Sequence, residues 1–314
     1  MEVGGGAWVA PETGGEPPST PVPSTPSGHP AEPAEPARPA PAPPLPLGPM
    51  TTGAIVDGAF TVLKRRPRTV LVITAVIEVP IQVLAVFLQR SSLTSFGDGS
   101  SVFSTSSTTS DADLGQFYAA YGTSVLLSTL ALFFVGAALA HVVAGWYQGF
   151  DVTAGQALRA TGSRWWALAL AWLVLLPVKA VGLAICGIGL VFVVPLFAVT
   201  APAIALEGLG PLAGAKRSLS LVGRRYFPVM GVVLLATLIE YVLRQVLVII
   251  PSLIGALLPD PFNWIVVAAG TAGVSLITVA PLVTACVLVY FDLRVRTEGL
   301  DLELAATRAF ADVG

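Results

Sequence analysis

Six stretches of the chain, residues 69–88, 124–146, 165–185, 188–206, 227–250 and 264–291, are almost continuously apolar. Each has about the 20 residues of helix that a hydrocarbon core of about 30 Å requires. The third and fourth are parted only by Cys186-Gly187, so that apolar run must fold back on itself as a hairpin. The pattern predicts an all-α, polytopic membrane protein with six transmembrane helices. Pro177, Pro195 and Pro202 lie within the hairpin. Proline lacks an N–H and clashes with the carbonyl four residues earlier, so kinks or breaks are expected there.

A second pattern precedes the first, third and fifth apolar runs. Residues 51–66, 153–164 and 210–225 are rich in small residues, weakly amphipathic, and end in arginine where a span begins. In the first, Ile55, Ala59, Val62 and Leu63 fall on one face by helical spacing, with Asp57, Thr61 and Lys64 elsewhere. This suits an interfacial helix over 51–66. The predicted unit is an interfacial helix plus a transmembrane hairpin, repeated three times. Basic flanks alone would look similar in any six-span protein; the Gly/Ala-rich preludes favour a repeat.

The segments between and outside these elements differ in kind. Residues 1–50 hold 15 of the 26 prolines and few large aliphatic side chains. Such a segment buries too little apolar area to offset its ordering entropy, so a disordered Pro-rich tail is expected, a solvated spacer with Pro-rich runs that an SH3-like domain could grip. It lacks the basic and apolar regions of a signal peptide. Residues 51–296 form the expected membrane domain, residues 90–117 a Ser/Thr-rich outer loop and residues 297–314 a second tail. The loop's Asp111 and Asp113 fit an exposed loop better than a cation site.

Composition agrees and narrows the classes. The chain is 54% hydrophobic and 11% charged, with mean hydropathy +0.78, net charge −2 and two cysteines. A soluble domain carries about 25% charged residues. A basic nucleic-acid binder and a disulfide scaffold are excluded too. In the six-span arrangement, fourteen of the 17 Lys and Arg residues fall on one side, leaving Arg90 opposite and Lys179 and Arg244 within spans. By the positive-inside rule both termini are cytoplasmic at a bacterial inner membrane. Trp146, Trp165, Trp166 and Tyr226 then lie at the inner interface and Trp264 at the outer one. Cys186 and Cys286 fall near opposite faces, which forbids a mutual disulfide.

Three stretches carry a family resemblance: residues 44–68, with Asp57-Gly58-Ala59-Phe60 and Arg65-Arg66-Pro67-Arg68; Gly210-Pro211-Leu212-Ala213 with Arg224-Arg225-Tyr226-Phe227; and residues 290–304, from Tyr290-Phe291-Asp292 to Leu302-Glu303-Leu304. They resemble actinobacterial proteins described as glycerophosphoryl diester phosphodiesterase membrane-domain proteins. The resemblance implies a multi-helix membrane module with no established activity. The phosphodiesterase name belongs to a separate catalytic barrel, which does not fit in 314 residues beside six spans. No enzymatic role carries over.

Ionisable groups inside a span are costly unless paired and are functional candidates by default. They are Glu78, His141, Lys179, Glu240 and Arg244. Counting along the helices puts Lys179 and Glu240 at matching depth, about 20 Å, so an interhelical pair is expected, and Arg244 lies four residues from Glu240. Glu78, with Pro80 and Gln82 close by, suits a polar, broken patch. His141 has no second His or Cys near it, which suits a satisfied lone histidine. Gly136 with Ala140 and Ala144, and Ala269 with Gly273, have the small-residue spacing of close helix contacts, within the chain or between copies.

The candidate intramembrane polar site is therefore Glu78, Lys179, Glu240 and Arg244. No G-x-S-x-G, H-E-x-x-H, C-x-x-C or phosphate-binding glycine loop occurs. No catalytic residue, metal site or cofactor is expected. The favoured reading is a non-catalytic integral membrane module that organises or anchors partners. Its partners are the lipid bilayer and membrane proteins or a second copy, not nucleic acid. The alternative is a transporter or channel for a small solute or lipid using the intramembrane charges.

Overall fold

The computed structural model describes residues 48–95, 111–184, 188–259, 262–303 and 306, all within one unit, Pro41–Gly314. Most of the Pro-rich tail, the middle of the Ser/Thr-rich segment, Cys186-Gly187 and the C-terminal end lie outside the described residues. All regular structure among the described residues is helical: α1 (Thr52–Arg65), α2 (Pro67–Ser95), α3 (Asp111–Gln148), α4 (Ala154–Gly162), α5 (Trp165–Ala184), α6 (Ile188–Leu196), α7 (Thr200–Glu207), α8 (Pro211–Gly223), α9 (Tyr226–Ala256) and α10 (Phe262–Glu298). Six spans, one of them formed by α6 and α7 together, are long and apolar enough to cross a membrane. A polytopic all-α membrane protein is thereby established. Helix covers residues 91–95 and 111–117, so the segment between α2 and α3 is shorter than the 90–117 read from hydropathy.

Each short helix is started by local chemistry. The Thr51 hydroxyl accepts the Ala54 N–H (3.2 Å) at the head of α1. At α4, Thr153 accepts the Gln156 N–H and the Gln156 side chain accepts the Thr153 N–H in return, a capping box. Pro211 starts α8, where its missing N–H costs nothing. The faces these helices bury, Ile55, Ala59 and Val62 in α1, Ala157 in α4, and Ala215, Leu221 and Val222 in α8, pack on the helical bundle. The α1 face expected to meet the interface thus meets α9 and α10.

The order short helix, long helix, long helix occurs three times, with the last member of the second set broken into α6 and α7. The break falls beside Pro195. A broken helix in hydrocarbon needs its freed carbonyls satisfied. Ser218 of α8 donates to the Leu196 carbonyl (2.7 Å) and the Tyr226 hydroxyl to that of Phe192 (3.0 Å), so α6 rests on the α8–α9 junction. Pro177 by contrast lies within an unbroken α5.

α10 is the central helix, packed against α1, α2, α3 and α9, and Tyr290, Leu288 and Leu293 on it are fully buried. The outward faces of α5, α6 and α9 expose Val181, Leu183, Phe192, Val246, Ile250 and Leu253. So broad an apolar surface is unsuited to water and suited to lipid tails. Lipid is as apolar as leucine, so these faces add little to cohesion; packing and polar contacts hold the bundle together. The backbones of α5 and α6 approach closely: a Cβ on Gly189 would lie 2.6 Å from the Gly182 carbonyl oxygen. Of the expected small-residue contacts, Gly136 does pack on Val283 and Ala201, whereas Ala269 and Gly273 are exposed.

Candidate functional site

Two polar regions stand out, one within the spans and one at the end of the bundle where the basic residues gather. In the first, Glu240 on α9 is built by helical spacing: one turn later, Arg244 Nε donates to its Oε1 (2.8 Å), and Thr278 on α10 reaches the same oxygen at 3.4 Å. Glu78 on α2 is 1% exposed. Gln82, also one turn on, donates to its Oε1 (2.8 Å), and Oε2 has no hydrogen-bond partner among the described residues. Glu240 and Arg244 are thus joined directly, whereas Glu78 is bonded to Gln82 on its own helix.

Lys179 on α5 stands apart. Its ammonium lies 5.7 Å from the centroid of the Phe133 ring, and no carboxylate among the described residues pairs with it. The ion pair expected with Glu240 is not formed. Matching height does place both side chains on one cavity of about 650 Å³, bordered by α3, α5, α6, α7, α9 and α10, but the cavity itself stands between α5 and α9. Its walls are apolar, including Phe133, Leu176, Leu190, Phe197 and Val283. Lys179 and Glu240 border it; Glu78 and Arg244 do not. His141 Nε2 has no hydrogen-bond partner among the described residues. No group of three His, Cys, Asp or Glu side chains that could hold a metal occurs among the described residues.

The second region was not singled out from the sequence, where its arginines served only as topology markers. Arg66, after α1, pairs with Asp151 in the α3–α4 loop. Arg164, after α4, donates to the Gly208 carbonyl in the α7–α8 loop (2.7 Å). Gly208 has φ +70°, and a Cβ there would meet the Arg164 guanidinium at 2.8 Å, so glycine answers two demands at once. Arg217 on α8 pairs with Glu207 (2.8 Å) and Glu298 (2.5 Å), Tyr290 donates to Glu207 (2.9 Å), and Arg294 pairs with Glu298 (2.9 Å). Burial opposes the charge on Arg217, but its bonds to the two glutamates outweigh that and hold its pKa above the ordinary arginine value.

The ring closes at the head of α1. Asp292 accepts the Met50 N–H (2.7 Å) and Arg296 Nε (2.9 Å), while Arg296 donates to the Met50 carbonyl (2.8 Å). The chain at Arg66, Arg164 and Met50 is thus tied each time to a neighbouring element. The acidic partners Glu207, Asp292 and Glu298, placed among arginines at the ends of apolar runs, were the sequence signal that could have revealed it.

No family model, curated protein or solved structure matches the chain.

Proposed function

We propose that the protein is a non-catalytic module of the bacterial inner membrane that organises or anchors partners at its basic end, with both termini cytoplasmic. The observation that carries this reading is the closed ring of contacts through Arg66, Arg164, Arg217 and Arg296. A ring of ion pairs and backbone contacts fixes three short helices and the point, Met50, at which the Pro-rich segment joins the bundle. It is a preorganised surface, and preorganisation lowers the ordering cost of binding. The arginine asymmetry supports the cytoplasmic placement, and the resemblance to the phosphodiesterase membrane-domain family supports a module without its own chemistry.

The test is photo-crosslinking in intact cells, with a photoreactive residue in place of Arg159 or Arg224, both exposed at the basic end, or of Val246 on the lipid-facing side of α9. The expected outcome is a common discrete protein adduct from the first two sites and none from the third. No adduct from either basic site would remove the reading.

The cavity favours transport of a lipid as the second reading. An ion pathway is less well supported, because the cavity walls are mostly apolar and, of the four residues of the intramembrane site, only Lys179 and Glu240 border it. If Glu78→Gln and Glu240→Gln proteins fold and leave solute and lipid fluxes in proteoliposomes unchanged, the conduit reading fails.

A further inference from the structure

We propose that the 650 Å³ cavity is a binding site for an acidic phospholipid, which places a hydrocarbon chain between α3, α5 and α9 and its phosphate at Lys179. The site is independent of partner docking at the basic end, since a lipid can be held there without being moved and whatever the basic end binds.

Four observations converge. The volume lies within the range of about 300–1,000 Å³ typical of small-molecule sites, and the walls are hydrocarbon apart from a few polar groups. Its rim includes Val125, Leu126 and Leu183, which are themselves exposed. In a membrane such a rim opens to lipid tails, giving a chain an entrance and a hydrated ion a barrier. The charges on the cavity are unequal in standing. Glu240 is already matched by Arg244 and Thr278, whereas Lys179 has, among the described residues, only the face of Phe133. The cavity therefore carries one uncompensated cation, and an anion is its complement. Finally, Lys179 lies five residues from the end of α5 at Ala184, a rise of about 8 Å, close enough for a headgroup at the membrane surface to meet its ammonium.

The ammonium is turned inward over Phe133, which is 8% exposed. A lysine whose only role was to escape the hydrocarbon would extend to the surface instead. Thr129, also on the cavity, accepts the Trp172 indole N–H (3.0 Å), which fixes the α3–α5 wall before any ligand arrives.

The experiment uses the full chain in phosphatidylcholine vesicles doped with phosphatidylglycerol that carries a diazirine in one acyl chain, or with the phosphatidylcholine analogue. Crosslinked residues are mapped by mass spectrometry. The expected result is labelling of residues 125–136 and 176–183 by the acidic probe, about tenfold above the zwitterionic one, as one charge-assisted contact allows. Lys179→Gln should remove that preference and Lys179→Arg retain it. Labelling near the ring of arginines, which any acidic lipid visits, should be unchanged in both variants and serves as the internal reference. Ala198→Phe, which fills the cavity, should lower labelling by both probes. If it fails to fold, the two Lys179 variants decide alone. Equal labelling by the two probes, labelling confined to the arginine ring, or an unaltered pattern in Lys179→Gln would overturn the proposal. So would crosslinks between copies through α5 and α6 in place of lipid adducts, which would assign the cavity to a second copy.

Discussion

Replacing Asp292 with alanine is expected to lower the unfolding free energy in mild detergent by about 2 kcal/mol, the cost of leaving the Met50 N–H without its acceptor and of removing the carboxylate from Arg296. Asp292 is 8% exposed and is the one acceptor shared by Arg296 and the Met50 N–H. Its loss leaves the Arg296 guanidinium with the Met50 carbonyl alone of the two contacts and loosens the segment that feeds α1. Asp151→Ala is the matched control. Its ion pair with Arg66 belongs to the same ring, but its side chain is 56% exposed, so the loss should stay within about 1 kcal/mol. Denaturant or thermal unfolding of the two variants side by side checks the difference, and equal effects would mean the ring is not anchored at Met50.

Gly189→Leu should have a similarly large effect, about 2–3 kcal/mol, by a different mechanism. At Gly189 the first side-chain carbon already meets the Gly182 backbone, with its carbonyl oxygen at 2.6 Å and its Cα at 2.8 Å. Backbone cannot rotate aside as a side chain can, so α5 and α6 must separate. The hairpin forms one wall of the cavity, and the variant is expected to lose lipid labelling as well as stability. Gly273→Leu, also a glycine in a long apolar helix but with nothing within 4 Å, should unfold like the parent protein. A Gly189→Leu protein as stable as the parent would show that the hairpin contact is not needed.

The six spans were legible because the bilayer imposes one length on every crossing helix, and hydropathy reads that length. It does not read where the helix stops. α3 and α10 run well past the apolar windows 124–146 and 264–291, since backbone hydrogen bonding continues wherever the local sequence permits it. The short helices were legible from their small residues, weak amphipathicity and terminal arginines, and the break at Pro195 from the chemistry of proline. The ring was not, because its partners are far apart in sequence: Met50 and Asp292 are separated by 242 positions.

The intramembrane site divides the same way. Glu240 with Arg244 and Glu78 with Gln82 follow from the four-residue spacing of a helix. For Lys179, counting residues gives height along a helix but not its direction around the axis, nor the gap between helices. The cavity arises where α5 stands off α9, and the site is therefore a property of packing that no single segment carries.

The reading of the basic end requires that it face the cytoplasm. Single cysteines introduced into a chain lacking Cys186 and Cys286 can be tested in intact spheroplasts with a membrane-impermeant maleimide. Ser104→Cys should react at once, whereas Ser24→Cys and Gly155→Cys should react only after permeabilisation. Immediate labelling of Ser24→Cys or Gly155→Cys, with Ser104→Cys protected, would place the arginine ring outside the cell and contradict the account.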